Sequence, residues 1–449
     1  MTVSYRCAFV ATSVFKDREK LEDRVSGEQE PLSMKRNMLW NSAGSFTNLL
    51  AQWLITVLVV RIASGYDAAG LYSLAVSVYG IFAPVAQYRM YTYQISDTRH
   101  ENTVGEYFTL RVITNGIALV ACFGYALLTC PLSAVPAIML YGLFKSAALL
   151  IDVFHACDQR HYRMDYIGIS LAMQGVSSLA IFALAFSLTQ NLEITLALMS
   201  LALLAIGLVY DMPRSNGFEK LRLGITWRKT RYLLLKCLPI VIGALAMAAA
   251  VSAPRQYLFD AMGEAALGVY ASVAAPVAII QTGASYIYYP LIGYFADYYD
   301  RGEKRKLVEL LLRVTGGIAL VGIVCAVLLE LFGAPLLELF FANDIGQYAY
   351  LLIPMIASAM ITAYVWFLND LLIAVRDFRG NLIGSIVPLV VALVCMVPFV
   401  QWWGMNGVSF TAIASYLAAA VSMGASFFAC LKKPRVARET GAGDDGSAI

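Results

Sequence analysis

An all-α integral membrane protein, its twelve transmembrane helices set in two parallel six-helix bundles, is expected from three features of this chain. Its 449 residues are 59% hydrophobic and only 14% charged, with a mean hydropathy of +0.68. Apolar runs long enough to cross roughly 30 Å of hydrocarbon recur along it. Two similar halves follow one another at an offset of 198 residues. A soluble domain has about 45–50% apolar and about 25% charged residues. This surplus of apolar surface cannot be hidden inside one globule, so the solvent is lipid. A net charge of +3 gives no reason to expect a nucleic-acid partner.

Residues 1–33 are mixed and charged, and Cys7–Val14 is too short and too polar for a secretory h-region. They read as a cytoplasmic tail. Met34 opens MKRNMLWNSAGSF, which reads as a natural start, so the tail is expected to be dispensable. The first lobe is placed at 34–213, with spans near 38–62, 68–94, 108–130, 134–154, 166–188 and 192–212. A basic linker at 214–232 follows. The second lobe, 233–432, has spans near 233–256, 266–294, 307–330, 347–372, 381–402 and 405–431. The long second and eighth runs leave room for kinks. Residues 433–449 end in GAGDDGSAI and are expected to be disordered.

Orientation follows from lysine and arginine, which concentrate on the cytoplasmic side. With the N-terminus in the cytoplasm, that side receives the linker cluster Arg214, Lys220, Arg222, Arg228, Lys229, Arg231 and Lys236. It also receives Arg301, Lys304, Arg305 and Lys306, then Arg376 and Arg379, then Lys432, Lys433, Arg435 and Arg438. Only Arg61 and Arg255 fall at outer helix ends. The chain is therefore placed in the cell (plasma or inner) membrane, multi-pass, with both termini on the cytoplasmic side. The charged island DVFHACDQRHYRMD (152–165) then becomes the cytoplasmic turn between the fourth and fifth helices. Its ordinary reading is a solvated turn, and the sharper one is gating or docking through Arg160 and Arg163.

The eight cysteines are scattered singly, without CxxC spacing, and read as small apolar fillers or free thiols. Three histidines in all make a histidine-based metal site improbable. No metal and no cofactor is called for. No G-x-x-x-x-G-K-[ST] occurs, which excludes an ATP-driven flippase within this one chain.

DAAGLYS (67–73) resembles EAALGVYA (264–271), and Gly70, Tyr72, Tyr88 and Tyr91 pair with Gly268, Tyr270, Tyr286 and Tyr289. Asp152 and Asp370 close corresponding helices, each before an arginine-rich turn and an Ile-Gly motif. An even number of spans returns the chain to the same side, so the halves are parallel. That is a transporter plan, with substrate held between the halves.

A charge near the bilayer midplane costs about 2.5–3.5 kcal/mol on insertion scales and tends to face a cavity or a partner. Lys145 is the deepest, eleven residues into its run. Arg89, Arg61 and Arg255 are the other candidates for substrate binding. Against each stands snorkelling or a structural ion pair. The first helix contains no acid, and Asp152, Asp211 and Asp370 sit near the cytoplasmic boundary. The interior is thus expected to be cationic and the cargo anionic. Tyr88 and Tyr286 lie in aromatic clusters at matching depth; they read as an interfacial belt or as platforms for sugar rings.

MKRNMLWNSAGS, DQRHYRMDYIGIS and GAPLLELFFANDIGQYAYLLIPM, within a similarity running over about 34–432, resemble the polysaccharide-biosynthesis flippases. These are the O-antigen and capsule repeat-unit transporters of the multidrug/oligosaccharidyl-lipid/polysaccharide exporter superfamily. The resemblance implies a two-lobed fold of twelve helices and no enzyme activity. It implies export of a polyprenyl-pyrophosphate-linked oligosaccharide from inner to outer leaflet by alternating access. Implied partners are that anionic glycolipid, membrane lipid, and the polymerase and glycosyltransferases of surface polysaccharide synthesis. Asp152 and Asp370 are gate or proton-coupling candidates, with helix-end solvation as the plainer role. A multidrug antiporter of the same superfamily would want a deep carboxylate in the first lobe. A membrane-bound glycosyl- or phosphotransferase would want a large loop bearing acids or metal ligands.

Overall fold

The computed structural model describes residues 31–63, 65–97, 101–288, 291–341, 344–375 and 377–432. The tails expected at 1–33 and 433–449 therefore lie almost wholly outside the described residues. In the first lobe, α1 (Met34–Ile62) is followed by α2 (Asp67–Gln87), the short α3 (Met90–Ser96), α4 (Val104–Thr129) and α5 (Val135–Arg160). Next come α6 (Met164–Thr189), α7 (Leu192–Ile206), a π-helical turn (Gly207–Asp211) and α8 (Met212–Phe218). Residues 220–226 are extended. The second lobe has α9 (Trp227–Tyr288), α10 (Ile292–Arg301), α11 (Lys304–Phe340), α12 (Leu352–Ala374), α13 (Phe378–Trp403) and α14 (Asn406–Lys432).

Helices are the expected solution in lipid, because each backbone N–H and C=O must be satisfied inside its own segment. Eleven of these helical stretches are long and apolar enough to cross a membrane. α9 accounts for two passes. Its 62 residues would measure about 93 Å if straight, three times the hydrocarbon thickness. Gly263, at φ 84° and ψ 177°, folds it back, a conformation that glycine adopts without a Cβ penalty. The second run also breaks, at Tyr88 and Arg89, both left-handed with φ 44° and 56°.

Glycines set how closely helices approach. Gly44 of α1 meets the backbone of Gly168 on α6, and Gly175, two turns further on, meets Asn48. This is small-residue packing of the kind that brings membrane helices together. At the near end, Asn37 Nδ2 donates to Tyr162 O at 2.8 Å, and Met164 N donates back to Asn37 Oδ1 at 2.8 Å. The start of α1, the α5–α6 turn and the 220–226 linker thus share one face, called the linker face here.

The lobes meet chiefly along a seam between α2 and the first half of α9. Gly80 faces Ser252, and at the far face Gly70 abuts Glu264 while Gly268 abuts Tyr66 and Gly70. Gly70 and Gly268 are the pair matched between the sequence halves, and they touch across the seam. By contrast α1 touches α9 over only a short stretch. At the linker face Asp97 accepts from Glu101 N, Asn102 N and the Tyr107 hydroxyl at 3.0, 3.1 and 2.9 Å. Burial opposes its charge, but these donors outweigh it and hold the carboxyl below its ordinary range.

Gly44→Leu should force α1 off α6 and cost about 1–3 kcal/mol. Gly116→Leu, where nothing stands within 4 Å of an added Cβ, should be tolerated. Thermal unfolding of the two variants in detergent distinguishes these outcomes.

Candidate functional site

Lys145 lies half-buried on α5, with its Nζ donating to Gln52 Oε1 of α1 at 3.2 Å. Its ammonium is 5.5 and 5.1 Å from the ring centroids of Tyr141 and Phe144. Tyr72 and Tyr79 close on Tyr141 edge-on at 5.7 and 6.1 Å. No carboxylate pairs with Lys145 among the described residues. A cation at this depth without an acid is stabilised by ring faces and one amide oxygen, which leaves charge available to a ligand.

Arg255 plays the corresponding part in the second lobe. The sequence placed it at an outer helix end, but α9 runs on to a turn at Gly263, eight residues later. That places Arg255 roughly 12 Å, or two turns, below the turn. It is half-buried, and its charge acts on the hydroxyls of Tyr270 and Tyr416. Those hydroxyls are held by Ser409 Oγ at 3.1 Å and by Met247 O at 3.4 Å. Among the described residues Arg255 has no hydrogen bond or ion pair. Tyr270 thus stands by the cation of its lobe, whereas its match Tyr72 reaches Lys145 only through the Tyr141 ring.

The other two arginines are placed differently. Arg61 donates from Nε to Phe340 O at 2.9 Å and from Nη2 to Leu339 O and Glu338 O at 2.5 and 3.1 Å. It caps the C-terminus of α11 from the opposite lobe, where a helix dipole favours a cation. Tyr66 donates to Asp344 Oδ1 at 3.1 Å beside it, and Trp53 meets Phe340 edge-on at 4.9 Å. Together these close the far face. Arg89 is exposed at the α2–α3 break, and its charge reaches Asp370 of α12 in the other lobe. No contact among the described residues joins Lys145, Arg255, Arg61 and Arg89 to one another.

Tyr88 is buried and donates to Leu234 O of α9 at 3.0 Å, which ties the break to the seam. The Tyr286 side chain lies outside the described residues. Arg163 forms two bonds to Asp165, at 2.9 and 2.8 Å, over the Tyr166 ring, as a local structural pair. Arg160 is half-buried, and its charge acts on Asp97.

The charged island at 152–165 is not the solvated turn expected from its composition. α5 continues to Arg160, and His155, Cys157 and Asp158 are buried on it, the last two fully. α3 and α8 pack over this end and keep water out. Asp152 remains partly exposed, 3.9 Å from His155 Nδ1, and on the other side His155 Nε2 lies 3.4 Å from Asp211 Oδ1. Arg111 of α4 was also not foreseen. It is 1% exposed and donates to Ala86 O at 3.1 Å and to Gln87 O. These carbonyls are freed where α2 breaks, and in hydrocarbon they need a partner. Its place early in an apolar run was the available signal.

No family model matches the chain. It is 22% identical over 395 residues to the capsular polysaccharide biosynthesis protein CapF of Staphylococcus aureus, covering 87% of this chain and 98% of that protein. The lipid II flippase MurJ, in an inward closed conformation, superposes with a TM-score of 0.67 at 9% identity, covering 87% of each chain. A multidrug resistance MATE family transporter of the MOP superfamily, inward-facing, superposes at 0.56 with 13% identity, covering 88% of this chain and 94% of that one. The chain is thus a multi-pass, two-lobed helical membrane protein with the fold seen in MOP-superfamily transporters and in MurJ. The relative named for capsular polysaccharide biosynthesis and the MurJ-like fold are in line with the resemblance drawn from the sequence.

Arg61→Ala should free the end of α11 and loosen the far face. Distances between spin labels on the far-face ends of α6 and α11 should broaden toward longer values, with folded protein recovered in normal yield.

Proposed function

We propose that this protein moves a polyprenyl-pyrophosphate-linked oligosaccharide from the leaflet at the linker face to the leaflet at the far face, for surface polysaccharide synthesis. The observation that carries this is the pair of deep cations, one per lobe: Lys145 beside the rings of Tyr141 and Phe144, and Arg255 acting on the hydroxyls of Tyr270 and Tyr416, neither paired with a carboxylate among the described residues. A pyrophosphate cannot shed its water in hydrocarbon without charge-assisted partners in return. Two cations on opposite lobes supply them, and tyrosine faces suit sugar rings. Tyr88 and Tyr286 remain proposed contacts at the rim.

The two-lobed fold and the relative named for capsule biosynthesis support this reading. On this reading the linker face, rich in lysine and arginine, is the cytoplasmic one and both termini lie on that side. The edge between α1 and α9, where these helices touch over only a short stretch, is the proposed lateral opening through which the polyprenyl tail stays in lipid. Arg61 and Tyr66 then form the latch of the far face. Arg89 and Asp370 face each other across the lobes as the gate of the linker face. Alternation between the two closures turns the cargo over, and cargo shifts that equilibrium only by binding the two states differently. Glycosyltransferases supply this substrate class and a polymerase consumes it. An antiporter of cationic drugs fits less well. The buried acids of the first lobe lie at the end of α5, beside His155 and Arg111, and not beside Lys145.

Losing one charged contact to a phosphate costs about 1.5–3 kcal/mol, roughly 10- to 150-fold in affinity. Lys145→Ala and Arg255→Ala should therefore each cut surface polysaccharide sharply at unchanged protein level in the membrane, with lipid-linked intermediates accumulating. Lys145→Arg should restore part of the export. Normal export in both alanine variants would refute the reading, and the glycan on the accumulated lipid would name the cargo.

A further inference from the structure

His155 stands between two carboxylates, one wet and one dry. Its Nδ1 is 3.9 Å from Asp152 Oδ1, whose side chain is 36% exposed; its Nε2 is 3.4 Å from Asp211 Oδ1, whose side chain is 0% exposed. Asp211 Oδ2 accepts from Ser170 Oγ at 3.0 Å, and Ser170 Oγ accepts in turn from Gln174 Nε2 at 3.1 Å. Asp158, one turn further along α5 and fully buried, accepts from Ser215 Oγ at 3.4 Å. Its Oδ2, together with His155 Nε2 and Asp211 Oδ1, is buried with no hydrogen-bond partner among the described residues.

We infer that Asp152, His155 and Asp211 form a proton relay, and that the buried His155–Asp211–Asp158 set is a proton-binding site in the first lobe. An imidazole whose two nitrogens face two acids can accept a proton from the exposed one and hold it against the buried one. The charges facing the set agree with one-proton stoichiometry. α4 contributes Arg111, whose charge acts on Asp152, and α8 contributes Arg214, whose charge acts on Asp158. α3 contributes the neutral phenol Tyr91, and the π-turn, besides Asp211 itself, the neutral phenol Tyr210. Asp165 of α6 is paired with Arg163. Of the charges beside Cys157 on the same helix end, Glu219 and Arg160 are of opposite sign, and the two buried carboxylates, Asp158 and Asp211, face Arg214, so a single proton on the set offsets their remaining negative charge. A buried charge left uncompensated is strongly unfavourable. Among the described residues no group of His, Cys, Asp and Glu is arranged to hold a metal ion, so the proton is the ligand this geometry fits.

The site is connected to the seam. Asp211 closes the π-helical turn, a departure from α-helix that often marks functional positions. α8 and the linker follow directly. Glu219 Oε1 accepts from Val104 N at 3.1 Å, Gly224 N donates to Thr109 Oγ1 at 2.9 Å, and Lys229 pairs with Glu106 at 2.8 Å. The next helix is α9, which carries the seam. On the other side Gln94 Nε2 donates to Val153 O at 3.0 Å and Tyr91 to Gln159 Oε1 at 2.7 Å, fastening α3 and the Arg89 break to the same end of α5. Protonation that reseats α5 against the π-turn therefore acts on both connections between the lobes.

This rests on the reading that the lobes move, but not on any cargo, so the test is run without one. The full chain, spin-labelled on both lobes at the linker face, is placed in lipid nanodiscs. Inter-lobe distances are followed from about pH 5 to 8, in sodium and again in potassium. The wild type should titrate with a one-proton slope in either salt. His155→Gln and Asp211→Asn should lose the titration, and Glu193→Gln, at the far face, should keep it. Should Asp211→Asn fail to fold, Ser170→Ala, which removes one hydrogen bond to Asp211, should shift the midpoint. The inference is overturned if the wild type does not titrate, if the relay variants titrate like it, if Ser170→Ala leaves the midpoint in place, or if the response follows sodium at constant pH. Loss of export in Lys145→Ala with the titration intact would bear on cargo binding alone.

Discussion

Hydrocarbon offers no water to a stray polar group, and this one constraint orders the rest of the structure. It makes the chain helical from end to end of each crossing. It also decides what happens where a helix must break. At Tyr88 and Arg89 the backbone turns left-handed inside the protein, and the carbonyls released there are taken by Arg111. A single Nη1 group of a buried arginine serves both freed carbonyls, so one side chain makes the break tolerable. The break in turn lifts Arg89 out of the helix and aims it at the opposite lobe.

The same constraint separates the chain's cations into two kinds. Arg61 and Arg111 are occupied by carbonyl oxygens and hold the structure together. Lys145 has two ring faces and a single amide, and Arg255 has only the nearby hydroxyls of Tyr270 and Tyr416. Depth in the membrane does not distinguish the kinds; neighbours do. A cation without a carboxylate is stabilised least in the empty protein and most when an anion arrives. That difference is what a binding site requires.

The buried acids sharpen the contrast. They lie with His155 and Arg111 at the linker-face end of the first lobe, away from the aromatic surround of Lys145. An anionic cargo and a proton would thus be held at separate places in one lobe, both reached from α5. Lys145 and His155 are ten residues apart on that helix, roughly 15 Å of rise. A rigid helix of this length can carry a shift at one end to the other.

The two-lobed plan was legible from the internal repeat. Apolar run length was enough to read the spans and to leave room for the break in the second run, because that pattern reports solvent, and solvent is what a sequence records most directly. Lys145 was legible for the same reason, as a charge where lipid was expected. The matched pair Gly70 and Gly268 was legible as a repeat, though its contact across the seam was not. The relay of Asp152, His155 and Asp211 was hidden. Its composition is that of an ordinary solvated turn, and only the packing of α3 and α8 over the end of α5 turns that stretch dry. Arg61 and Arg255 looked equivalent along the chain and are not. One meets the end of α11 from the other lobe, and the other is drawn inward because α9 runs on to Gly263. Such roles depend on neighbours distant in sequence, and tertiary packing alone decides them.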